Sequence, residues 1–126
     1  MIVVSDTTPL SELSKIGKLH LIYQVFGQIL IPQEVYDEVT TGIHPAVAIV
    51  QSANWIEVRS VNNPKAILRL QQETELDLGE CAAIILAEEL GGDLLLVDDL
   101  AARKQAIARN LSDLIVTGKQ IGRAHV

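Results

Sequence analysis

Carboxylates recur in this chain where the local pattern allows chemistry. Asp6 directly follows a short apolar run, Glu34 and Glu38 are spaced to share one helix face, Glu80 follows Asp77, and the Asp98-Asp99 pair follows Leu94-Leu95-Leu96-Val97. Hard oxygen donors of this kind suit Mg2+ or Mn2+, which prefer carboxylates and water to sulfur or imidazole. If they meet in space, two such ions about 3.5–4 Å apart would activate a water and stabilise the leaving oxygen of a phosphodiester during in-line displacement.

Each acid also has a plainer reading. Asp6 before Thr7-Thr8-Pro9 suits an Asx turn. Glu80 stands three residues after Asp77, which is the spacing of a capping box, and the two roles are compatible. Glu34 and Glu38 are of the kind that usually lies solvated on a helix. Asp98-Asp99 suits the N-cap and the dipole of a helix that starts at Leu100.

Other reactive residue types carry less. His20, His44 and His125 have no metal-binding spacing, which argues against zinc. Cys81, within an Ala- and Ile-rich stretch, reads as a small buried apolar residue. Arg103, Lys104 and Arg109 are able to reach phosphates, although solvated helix charges are the commoner case. Gly91-Gly92 is too weak a signal for a phosphate loop.

The elements that must position these acids follow from apolar spacing and from Gly and Pro. A strand over 2–5 leads through a turn into a helix that Thr8 caps and Pro9 opens, ending at Gly17. A helix over 19–26, a strand over 28–31, a helix over 32–41, a helix over 44–53 and a strand over 55–58 follow. Helices over 65–73 and 78–90, a strand over 94–97, a helix over 100–108 and a short strand near 114–117 complete the pattern. Apolar strands separated by helices predict an α/β fold of three layers, α/β/α, with a central parallel sheet covered on both faces. In such sheets ligands sit beyond the carboxyl ends of the strands, where Asp6 and Asp98-Asp99 fall.

Bulk composition sets the frame. The 126 residues suit one domain, and 48% hydrophobic with 21% charged residues excludes a disordered chain. Only 3% are aromatic, so the core is expected to be aliphatic. The net charge of −6 counts against a passive nucleic-acid binder, but not against a metal-dependent one, since bound cations reverse the local sign. No apolar stretch approaches the ~20 residues of a membrane span. The N-terminus lacks the pattern of a signal peptide, and a lone Cys81 permits no internal disulfide, so a cytoplasmic location is expected. At the other end, residues 120–126 have no helical apolar pattern, and 121–126 read like a translated library adapter. The expected domain is therefore 1–119, followed by a non-native tail.

Four segments in order carry a family resemblance: Val3-Val4-Ser5-Asp6-Thr7-Thr8-Pro9-Leu10, Ile31-Pro32-Gln33-Glu34-Val35-Tyr36-Asp37-Glu38-Val39, Leu78-Gly79-Glu80-Cys81-Ala82-Ala83-Ile84, and Leu95-Leu96-Val97-Asp98-Asp99-Leu100-Ala101-Ala102-Arg103. Together they resemble the successive motifs of PIN domains, most closely prokaryotic members related to the VapC-type toxins. The resemblance implies an endoribonuclease dependent on Mg2+ or Mn2+, often the toxin of a toxin–antitoxin pair and frequently a homodimer. Carried onto this sequence, it implies Asp6, Glu38, Glu80 and Asp99 as the four acids, with Asp98 an alternate for the last. It implies metal contact by Asp6, Glu80, Asp99 or Asp98, and phosphate support by Thr7, with Arg103 a further substrate contact. Glu80 stands where Asp is commoner, and Val97 where Thr or Ser is frequent.

Two other classes remain open on the residues. One is a PIN-like module that binds nucleic acid or protein without turnover. The other is a phosphatase of the haloacid-dehalogenase type, which wants a second Asp two positions after the first, where this chain has Thr8. A response-regulator receiver needs its acidic pair after the first strand, and here the pair comes late.

Overall fold

The structure is a computed structural model, and it describes residues 1–109, 111 and the backbone of 115–116. Five strands, β1 (Val3–Ser5), β2 (Ile29–Pro32), β3 (Ile56–Arg59), β4 (Leu94–Leu96) and β5 (Ile115–Val116), form one sheet in the order β3-β2-β1-β4-β5. Every pairing is parallel. The chain winds outward from β1 to β3, then crosses back to place β4 on the other side of β1. The strand order therefore reverses between β1 and β4, and this is where an open parallel sheet leaves a crevice.

Alternation along the strands builds two cores. Val3, Ile29, Ile31, Leu94 and Leu96 face α1 (Thr7–Lys15), α2 (His20–Phe26), α3 (Gln33–Val39) and α4 (Pro45–Ser52). Val4 and Leu95 face α5 (Pro64–Glu73), α6 (Leu78–Leu90) and α7 (Leu100–Ala108). The three-layer α/β/α arrangement with a parallel sheet is thus as the sequence predicts, and the core is aliphatic. α6 is buried over nearly its whole first two turns, Gly79 to Ala87, because it lies against both the sheet and α5.

Local signals set most of the boundaries, and the exceptions have reasons. The first helix starts at Thr7 rather than being capped by Thr8, because the Asp6 N–H is drawn to the Leu96 carbonyl at 3.0 Å and the chain turns one residue earlier. α3 stops at Val39, two residues short of expectation, where the Thr40 hydroxyl donates to the Tyr36 carbonyl at 2.6 Å and competes with a further turn. α6 ends where Gly91 takes the left-handed conformation, φ 61°, that closes the helix. His44, expected as the first residue of the 44–53 helix, instead caps α4 by accepting the Ala46 N–H on Nδ1 at 3.0 Å. Residues 120–126, expected to be foreign, lie outside the described residues.

Candidate metal centre

Two strands deliver the first two acids. Ser5 is in register with Leu96, so β1 and β4 end side by side, and Asp6 and Asp99 leave the same edge of the sheet. Asp6 is 2% exposed, held over the last β4 carbonyl by its own N–H. Although it is the N-cap of α1, its side chain makes no capping hydrogen bond there. Asp99 is the N-cap of α7 and accepts the Ala102 N–H at 3.2 Å, as the plainer reading predicts.

Two helix starts supply the rest. Asp77 and Glu80 form a reciprocal capping box: Asp77 Oδ1 accepts the Glu80 N–H at 2.8 Å, and Glu80 Oε1 accepts the Asp77 N–H at 3.0 Å. The box turns the Glu80 carboxyl back toward the strand ends, where it shares a hydrogen bond with Asp99. From the other layer, Glu38 projects off α3, and its Oε2 accepts the Thr7 hydroxyl at 2.9 Å. α3 and α6 meet at this edge. A Cβ on Gly79 would stand 2.7 Å from Glu38 Oε2, 3.2 Å from Thr7 Oγ1 and 3.3 Å from Asp6 Oδ1, which puts all three oxygens around one point.

Electrostatics bears out the crowding. Burial pushes the Asp6 carboxyl up to about 7; the Thr7 N–H opposes the rise, and the charges of Asp77, Glu38 and Asp99 add to it. Burial likewise raises Glu80 to about 8, opposed by the Asp77 N–H and reinforced by the hydrogen bond with Asp99 and the charges of Asp77 and Asp6. Among the described residues no Lys or Arg forms an ion pair with any of these five acids. A site that concentrates carboxylates without a partner cation holds protons until a cation replaces them.

The sequence profile of the PIN domain matches residues 2–118. The chain belongs to the PIN domain family. In fold it is similar to the crystal structure of PAE2754 from Pyrobaculum aerophilum, with a TM-score of 0.68 over 98% of this chain and 94% of that one, at 13% identity. No curated protein matches the chain. PIN domains are generally nucleases, so this PIN domain is one of a nuclease-type family that binds nucleic acid. No helix among its described residues is long and apolar enough to cross a membrane.

The donors of this PIN domain fit a hard divalent cation in type and in charge: all are carboxylate oxygens, and their mutual repulsion is what a cation relieves. Among the described residues, however, no three of them converge on one point at ligand distance.

The acids expected from sequence separate clearly. Asp6, Glu38, Glu80 and Asp99 share one site, whereas Asp98 is absent from the contacts that raise Asp6 and Glu80. Glu34 lies one turn earlier on α3, lining a cleft of about 370 Å³ with Asp37, Glu38, Thr41, Asp77, Leu78 and Gly79. Its Oε1 is buried without a hydrogen-bond partner among the described residues. Arg103 is half-buried on α7, its Nε without a partner among the described residues. Sequence reasoning missed Asp77 as a charge of the site. The signal was present, since a capping box places both its carboxylates at the same helix end.

Proposed function

We propose that this chain is a metal-dependent endoribonuclease that hydrolyses RNA phosphodiester bonds, with Mg2+ or Mn2+ held by Asp6, Glu80 and Asp99 and with Glu38 as the fourth acid. The observation that carries the reading is the pair of buried carboxyls, Asp6 and Glu80, raised to about 7 and about 8 beside three further acids and, among the described residues, no partner cation. Strongly perturbed acids in one cleft mark functional sites far more often than ordinary surfaces do. Bound metal supplies the charge that neutralises the phosphate and the acidity that readies water for attack.

The protein's own groups set the conditions. The capping box occupies one oxygen of Glu80 and leaves the other for the site. Asp99 shares its hydrogen bond with Glu80 while its other contact caps α7, so both carboxyls are held in orientation. The Thr7 hydroxyl fixes Glu38 and lies next to Asp6, within reach of a phosphate oxygen. Arg103 on α7 is the cation of this reading that meets substrate. The Glu38 carboxylate, held but exposed, is the acceptor for a proton from attacking water.

Incubating the purified chain with RNA in Mg2+ or Mn2+, and again in excess EDTA, tests the proposal. Cleavage should require the metal and should vanish in Asp6→Asn; cleavage that survives either change rejects the assignment. A second reading, a PIN-like binding module without turnover, draws support from the absence of three converging carboxylates among the described residues. Titration with Mn2+ separates the two, because an inert site need not bind it.

The finer reading is that of a cytoplasmic toxin neutralised by an antitoxin protein and acting as a homodimer. It rests on the resemblance to the VapC-type toxins. Growth arrest on induced expression, relieved by the product of an adjacent small gene, is its test; growth unaffected by an RNA-cleaving chain would reject it.

A further inference from the structure

We infer that Gly79 is a positioning residue of the acidic site: its missing side chain lets the first turn of α6 close onto Glu38, Thr7 and Asp6, and so sets where the Glu38 carboxylate stands. The inference rests on the proposed site but goes beyond it, since Gly79 supplies no ligand.

Position 79 has no backbone reason to be glycine. It lies in the second turn-forming position of α6, outside the left-handed region that Gly91 occupies. Glycine there is a poorer helix former than alanine, so propensity alone opposes it. What the site gains is space. The Cβ of any other residue would meet Glu38 Oε2 at 2.7 Å, closer than real Cβ contacts come. Thr7 Oγ1 at 3.2 Å and Asp6 Oδ1 at 3.3 Å would be crowded as well.

The atom that must yield is the tip of a flexible side chain, not backbone. A methyl at position 79 therefore leaves the helix and the core in place, while it swings the Glu38 carboxylate off the Thr7 hydroxyl that now holds it at 2.9 Å. Gly79 is also buried and lines the cleft between α3 and α6, and the backbone fixes the direction of a Cβ there, so rotation cannot relieve the clash. Charge placement at the site is thus coupled to one absent side chain, and fold stability is not.

The test uses Gly79→Ala and the double variant Gly79→Ala/Glu38→Asp, each compared with the natural chain and with Glu38→Asp. Gly79→Ala should melt in EDTA at or above the natural temperature, yet bind Mn2+ at least about tenfold more weakly, because a displaced Glu38 no longer adds its negative charge beside Asp6, and outer groups of a metal site act on that scale. Shortening Glu38 gives the methyl its room, so Glu38→Asp should cost less Mn2+ affinity in the Gly79→Ala background than in the natural one. Unchanged Mn2+ affinity in Gly79→Ala, or strictly additive losses, overturns the inference. If the natural chain itself fails to bind Mn2+, the metal reading falls. A crystal structure of metal-free Gly79→Ala then decides for Gly79: Glu38 displaced from Thr7 upholds its role, and Glu38 unmoved refutes it.

Discussion

Thr7 and Glu38, 31 residues apart, are joined by a hydrogen bond from the Thr7 hydroxyl to Glu38 Oε2 at 2.9 Å. It ties the start of α1 to the end of α3, so an exposed glutamate that would otherwise sample solvent is held beside Asp6. Removing the hydroxyl by Thr7→Val should lower metal-dependent cleavage by roughly 10–100-fold, the scale for losing a group that holds a carboxylate of the site in place. Urea denaturation should change by no more than about 1 kcal/mol, since the bond is exposed. A cleavage rate equal to that of the natural chain would refute the linkage.

Asp77 has two roles that substitution can separate. Asp77→Asn keeps an N-cap as good as aspartate and removes one negative charge, so stability should hold while the raised values of Asp6 and Glu80 move down. Asp77→Ala loses the cap and should cost about 1 kcal/mol. NMR titration of the carboxyls and thermal melts of both variants provide the check. A stable Asp77→Ala would mean that the box contributes little to α6.

The metal-free protein should lose stability as pH rises from about 4 to about 8. Unfolded Asp6 and Glu80 release their protons near the ordinary values of 3.8 and 4.5, whereas in the fold they keep them to about 7 and about 8. Over that window the native state binds more protons than the unfolded one, so stability falls with pH and then levels off. Urea unfolding in EDTA across pH 4–9 reads this directly, and Asp6→Asn should flatten the lower part of the curve. Mn2+ should raise the melting temperature more at pH 8 than at pH 6, because binding displaces those protons. A stability curve that rises with pH would contradict the burial of both carboxyls.

Leu96→Ala separates fold from site. Leu96 is fully buried in the sheet, and its carbonyl receives the Asp6 N–H. Truncation should cost about 2–5 kcal/mol, as for other core leucines. Mn2+ affinity measured well below the melting temperature should stay within a fewfold of the natural value, since the backbone contact survives.

Helix and strand positions were readable because their signals are local. The Asp77 cap, the Gly91 stop and the run Leu94-Leu95-Leu96 define α6 and β4 without reference to the rest of the chain, and α6 and α7 occupy 78–90 and 100–108 as expected. The misplaced start of α1 came from a contact 90 residues away, Asp6 N–H to the Leu96 carbonyl, which no local pattern encodes. Glu38 illustrates the same limit. Nothing in its i, i+4 relation to Glu34 separates a solvated helix charge from a group beside Asp6, and only the meeting of α3 with α6 does so.

By itself the sequence determined which acidic residues stand at which ends of which elements, because periodicity, caps and breakers act over a few residues. Tertiary structure alone decided that β4 lies against β1, that Asp77 adds its charge to the cluster, and that a side chain at position 79 would crowd Glu38. Strand order and helix contact join segments far apart in the chain, and the raised affinity of Asp6 and Glu80 for protons arises only once that assembly has taken water away from them.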